Sequence, residues 1–170
     1  PRAWSQQSGM HSMSDCPRRS DRSRILLVGE SDRVRDSLYT LLENDGYEVL
    51  AANNGTDGLA ICRQSIYPIK LLVTDYNIPD ISGLELAREC TRINRDLSVL
   101  YVSGLEPNKD LRQELQSRNR GFLGKPFRGS DLLRKVKELL LGVEQSFETA
   151  LTAAQAVTLA SPFIASLTVV

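Results

Sequence analysis

The sequence predicts an α/β fold, a three-layer sandwich built on a parallel five-stranded sheet, and three observations carry that prediction. Short apolar runs alternate five times with stretches of helical periodicity from residue 25 onward. The runs are nearly continuous rather than alternating with polar residues, as in strands buried on both faces. The chain between successive runs is long enough for a helical crossover, which joins parallel neighbours with a right-handed turn. Alternation alone does not set the strand order; the flavodoxin-like order 2-1-3-4-5 is the common choice for a (βα)5 chain.

The first run, Ile25-Leu26-Leu27-Val28, is followed by Val34, Leu38, Leu41 and Leu42. Their i, i+4, i+7 and i+8 spacing is the stripe of an amphipathic helix, and Gly46 suits its C-terminal cap. The second run lies near residues 47–51, and after Asn54-Gly55 the residues Leu59, Cys62 and Ile66 mark a shorter helix. The third run spans 70–74; Ser82 is placed as the N-cap of a helix anchored by Leu86, Cys90 and Ile93. The fourth, 97–102, leads to a helix around 107–117 in which Leu111 and Leu115 are nearly the only apolar anchors. The fifth, 120–123, precedes a strong helix after Gly129-Ser130, carrying Leu132, Leu133, Val136, Leu139 and Leu140.

This organisation divides the chain into a leader over 1–23, a folded domain over 24–142 and a C-terminal accessory helix or tail over 143–170. The leader is rich in Ser, Arg, Gln and Asp without apolar periodicity, the composition of a disordered segment, and it lacks the apolar stretch of a secretory signal. After Glu148 the tail is free of charge. Its Thr and Ser residues, Gln155 and Pro162 make it too weakly hydrophobic for a membrane span. Phe147, Leu151 and Ala154 have the spacing of a further helix.

With 21 basic and 21 acidic residues, no global field favours nucleic acid or an anionic membrane. Cys16, Cys62 and Cys90 are odd in number, far apart and without metal-ligand spacing, and are expected as reduced thiols of a cytoplasmic protein. The lone His11 sits in the leader, which argues against histidine-based catalysis.

The chemistry is concentrated at strand ends. Leu71-Leu72-Val73-Thr74 runs directly into Asp75, the first strand ends near Glu30, the fourth at Ser103, and the fifth shortly before Lys125-Pro126. The carboxyl ends of parallel strands form the binding crevice of an open sheet. Phosphoryl transfer to a carboxylate needs a nucleophile, a divalent cation and further donors for the remaining charge. Asp75 and Glu30 are candidate carboxylates for magnesium, and Asn77 a candidate backbone carbonyl. Lys125 and Ser103 are candidate donors to a phosphoryl oxygen. Each residue alone also has a plain structural role. Asp75 can form a turn, Glu30 can complement a helix dipole, Ser103 can make a local bond and Lys125 can be a solvated lysine.

Residues 24–141 resemble the receiver domains of bacterial two-component response regulators, and most closely those attached to hybrid histidine kinases. The stretches that carry the resemblance are Ile25-Leu26-Leu27-Val28-Gly29-Glu30-Ser31, Val73-Thr74-Asp75-Tyr76-Asn77-Ile78-Pro79-Asp80-Ile81-Ser82-Gly83-Leu84-Glu85-Leu86, Leu100-Tyr101-Val102-Ser103-Gly104 and Phe122-Leu123-Gly124-Lys125-Pro126-Phe127. The resemblance implies a phosphoacceptor at Asp75, supplied by a histidine kinase or a histidine phosphotransfer protein, with Mg2+ as cofactor. It implies that Ser103 is the hydroxyl switch, Phe122 its aromatic partner, Lys125 the family's lysine, and Lys125-Pro126 a cis peptide. It implies a signalling module rather than an enzyme, with at most self-catalysed phosphorylation and dephosphorylation, and it admits a homodimer through helices 4 and 5.

The chain departs from the family at Gly29-Glu30, where two adjacent acids are normal. One carboxylate is missing and the other is longer by a methylene, so a weakened magnesium pocket is expected. Two functions therefore stand side by side. One is a phosphorylatable receiver; the other is a pseudo-receiver, a protein-interaction module on the same scaffold that does not depend on phosphate. A flavin or nucleotide site is disfavoured, because the loop after the first strand carries an acid where a phosphate cradle needs glycine and hydroxyl groups.

Overall fold

The computed structural model describes residues 22–29, 31–66 and 68–142. Five strands, β1 Arg24–Val28, β2 Glu48–Ala52, β3 Leu71–Asp75, β4 Ser98–Ser103 and β5 Arg120–Gly124, alternate with helices α1 Asp32–Asn44, α2 Gly55–Gln64, α3 Gly83–Ile93 and α4 Lys109–Glu114. Residues 129–142 form α5. The sheet order is β2-β1-β3-β4-β5 and every pairing is parallel, as the sequence predicts.

Successive strand residues feed opposite layers, because side chains alternate across a sheet. Leu26, Val28, Leu72, Val99 and Tyr101 join Leu86, Ala87, Cys90 and Leu111 on the face covered by α2, α3 and α4. Ile25, Leu27, Leu71, Val73, Leu100 and Val102 join Leu42, Leu132, Val136 and Leu139 on the face covered by α1 and α5. Cys62 and Cys90 are buried packing residues of the first layer.

The helix ends follow their expected chemistry. Ser82 accepts from Glu85 N at the start of α3, and Asn54 accepts from Asp57 N at the start of α2. Gly46 takes φ 96° after α1, a left-handed conformation that costs a glycine little.

Some expected helix anchors fail. Ile66 is 92% exposed, because α2 ends at Gln64 and Ser65 turns to extended backbone. Val34 and Ile93 are also partly in solvent, 39% and 48% exposed. The fourth helix is shorter than 107–117, and Leu115 falls just past its end. The expectations for the leader and for the tail beyond 142 lie outside the described residues. Among the described residues no helix is long and apolar enough to cross a membrane.

Candidate functional site

The strand register brings the site together. Asp75 at the end of β3 pairs with Val102, and Ser103 at the end of β4 pairs with Gly124. Three strands therefore finish nearly level, and their following residues face one crevice. Asp75, Asn77, Ser103 and Lys125, together with Ser31, Val102 and Gly104, line a hollow of about 440 Å³.

Within it Lys125 Nζ donates to Asp75 Oδ1 at 2.5 Å, with the lysine side chain 34% and the aspartate 18% exposed. A charge-assisted bond of this length fixes the carboxylate and sets a cation beside it. Lys125 N also donates to Ser103 O at 2.7 Å, which ties the β5 end to the β4 end, and the Lys125-Pro126 peptide is cis. The Ser103 side chain is turned to its own loop, where Oγ accepts from Leu105 N at 3.0 Å. Phe122 lies on β5 opposite Tyr101 and packs, partly buried, against the layer of α2, α3 and α4.

Glu30 lies outside the described residues, so the structure brings together Asp75, Asn77, Ser103 and Lys125 only. Gly29 touches the site from the other side. A Cβ there would stand 3.2 Å from Asp75 Oδ2, so an acid at this position would face the phosphoacceptor candidate directly. Among the described residues no cluster of three or more His, Cys, Asp or Glu side chains is placed to hold a metal ion. Asp75 and Asn77 nevertheless offer oxygen donors on one hollow, and they fit a hard cation that retains several of its waters.

Several residues that build the site escape the sequence patterns. Gly83 N donates to Tyr76 O at 2.9 Å, and a Cβ on Gly83 would lie 2.3 Å from Asp75 O, so α3 starts directly against the backbone of the candidate nucleophile. Asp80 reaches back to the start of α2. Its Oδ1 accepts from Gly55 N at 2.9 Å, and its Oδ2 accepts from both the amide and the hydroxyl of Thr56 at 2.6 Å. These donors, the Thr56 hydroxyl foremost, hold the Asp80 carboxyl well below the usual carboxylate range. Arg35 of α1 donates from Nη1 to Gly29 O at 2.8 Å and pairs with Asp32. Tyr76 Oη accepts from Asn108 Nδ2 at 2.8 Å, joining the residue after Asp75 to the start of α4. A local signal existed for Ser82-Gly83 and for Asn108 three residues before Leu111; the Asp80 and Tyr76 contacts span too much chain for any pattern to show.

The fold and this strand-end constellation define a class, and residues 25–137 match the family model of the response regulator receiver domain. The chain belongs to that family, whose members are signalling modules of two-component systems. It is 32% identical over 123 residues to the response regulator receiver protein CpdR of Brucella abortus, covering 69% of this chain and 97% of CpdR. It is similar to the receiver domain of the hybrid histidine kinase CckA in a crystal structure, at 32% identity and TM-score 0.59, covering 69% of this chain and 98% of that one. It is also similar to the response regulator TrrA of Thermotoga maritima, solved in complex with Mg2+-BeF, at 30% identity and TM-score 0.58, covering 69% and 99% of the two chains. The chain spans only 13% of the whole sensor kinase CckA of Brucella abortus and about half of the transcriptional regulators it resembles.

Proposed function

We propose that residues 24–142 act as a phosphoacceptor receiver in a phosphorelay, with Asp75 taking a phosphoryl group from the phosphohistidine of a histidine kinase or phosphotransfer protein. The observation that carries this reading is the Lys125–Asp75 bond of 2.5 Å at the rim of a hollow shared with Ser103 and Asn77. A carboxylate oxygen of Asp75 attacks phosphorus, the P–N bond to the donor imidazole breaks, and an acyl phosphate forms. Lys125, already on the carboxylate, transfers its contact to a phosphoryl oxygen, so charge is met by a preorganised donor. Ser103 Oγ releases the Leu105 amide and turns to the phosphoryl group, and Phe122 moves into the space it leaves. Asp75, Asn77 through its carbonyl, and Glu30 would hold Mg2+, which when bound neutralises phosphoryl oxygens. A partner surface on α4, β5 and α5 then changes shape; a homodimer through α4 and α5 is one such output.

Gly29 favours a second reading. By removing one acid beside Asp75 it weakens the magnesium pocket, as expected of a pseudo-receiver that engages a partner without phosphate. Incubation with Mg2+ and acetyl phosphate separates the two. The receiver reading expects a phosphoryl adduct by mass spectrometry in the wild type and none in Asp75→Ala. Failure of both acetyl phosphate and a kinase partner to label the wild type would leave the pseudo-receiver standing.

A further inference from the structure

The short helix α4 is held in place more by polar tethers than by packing. It has six residues, and Leu111 is the buried one among them. A helix of this length does not form on its own in water, so its position depends on what grips its ends. At its C-terminal end Glu114 pairs with Arg88 of α3 at 3.0 Å and with Arg120 of β5 at 3.5 Å. At its N-terminal end the grip is Asn108, whose side chain does two jobs. Its Oδ1 accepts from Leu111 N at 2.9 Å and caps the helix, while its Nδ2 donates to Tyr76 Oη at 2.8 Å.

Tyr76 is a fixed post. Its amide donates to Val102 O at 2.8 Å and its carbonyl accepts from Gly83 N at 2.9 Å, so strand β4 and helix α3 hold its backbone from both sides. The ring packs against the same layer as Leu111 and Leu115. Asn108 stands at the far end of the loop that begins at Ser103, whose hydroxyl is engaged by Leu105 N at 3.0 Å. If Ser103 turns to a phosphoryl group on Asp75, Leu105 N loses its acceptor and the loop from 104 to 108 is released at one end. The Tyr76–Asn108 bond then remains as the restraint at the other.

We infer that the Tyr76–Asn108 hydrogen bond is a latch that holds α4 in the resting position, and that switching at Asp75 works against it. The latch rests on the phosphoacceptor reading for its use, though not for its existence. It is separate from the serine and aromatic pair, because it leaves from the residue next to Asp75 on β3 and arrives at the cap of α4. Tyr76 and Asn108 are thus positioning residues, setting how readily α4 moves rather than touching the phosphoryl group.

The test uses the full chain with beryllofluoride and Mg2+ as the phosphoryl mimic, and hydrogen exchange of the segment 105–116 as the structural readout. Tyr76→Phe keeps the ring and removes the hydroxyl; Asn108→Ser keeps a capping oxygen and removes the arm that reaches Tyr76, whereas an aspartate there would accept from the tyrosine hydroxyl and restore the bond. Each is expected to speed exchange of that segment without ligand and to tighten beryllofluoride binding about two- to tenfold, the equivalent of one net hydrogen bond. The double variant is expected to go no further than either single one, since both break the same bond. Unchanged exchange in both single variants, or effects that add in the double variant, would overturn the latch. If the wild type takes up no beryllofluoride, the phosphoacceptor reading loses support, and the exchange arm still decides the latch: faster, non-additive exchange upholds it and unchanged exchange defeats it.

Discussion

Gly29 abuts the carboxylate of Asp75, with the position of a missing Cβ only 3.2 Å from Oδ2, while Lys125 occupies Oδ1 on the other side. The carboxylate is thus gripped by a cation at one oxygen and bordered by a residue without a side chain at the other. That asymmetry sets what the pocket asks of a divalent ion.

Restoring an acid makes the first prediction. Gly29→Asp places a second carboxylate against Asp75, and two like charges at such range repel unless a cation lies between them. Without Mg2+ the variant is expected to lose about 1 kcal/mol of stability, a figure reduced for solvent screening. With Mg2+ the loss is recovered, and affinity for the ion rises about tenfold as the ligand charge increases. Thermal melts with and without Mg2+ measure the first effect, and calorimetric titration the second. A variant destabilised equally in both conditions would show crowding rather than charge.

Lys125→Ala removes the preformed cation. Phosphoryl uptake from acetyl phosphate is expected to fall about a hundredfold, the usual cost of deleting one donor to a developing oxyanion. Stability should change by less than about 1 kcal/mol, because the lysine side chain is one-third exposed and the pair is screened. Adduct formation against time and urea denaturation give the two numbers.

Gly83→Ala tests the foundation beneath the site. The added methyl would meet Asp75 O at 2.3 Å and Thr74 Oγ1 at 3.2 Å, and neither the backbone nor a buried side chain can yield cheaply. A loss of about 1–3 kcal/mol is expected, as for other overpacked positions. The urea midpoint checks it, and a midpoint equal to wild type would mean that α3 can slide away from β3.

Asp80 carries a pH dependence whose sign follows from its donors. Its folded pKa is depressed, so the stability it contributes is fully present above the unfolded carboxylate pKa of about 4 and is lost as pH falls below it. Asp80→Asn is expected to melt lower than wild type at neutral pH. The gap between the two should narrow in melts taken at successively lower pH below about 4. A gap that stays constant down to strongly acid conditions would show that the charge of Asp80 plays no part.

Much of this was legible in the chain because it is local or periodic. Strand-end placement singled out Asp75, Ser103 and Lys125 before any contact was visible, since a parallel sheet sends every such residue to one edge. Ile66 shows where that logic ends. The apolar stripe counted it as an anchor, yet the Ser65 backbone leaves the helix first and turns it into solvent. Asp80 and Thr56 are 24 residues apart, and Tyr76 and Asn108 are 32 apart, so only the packed fold reveals what they share.

The sheet is also a partition. Leu42, Val136 and Leu139 belong to one layer, Leu86, Cys90 and Leu111 to the other, and neighbouring residues of a single strand serve opposite sides. Distant substitutions without shared partners combine additively. The layer beneath α1 can therefore drift or be repacked while the side that carries α4 and its latch keeps its own mechanics, so substitutions on one face of the sheet leave the response built on the other intact.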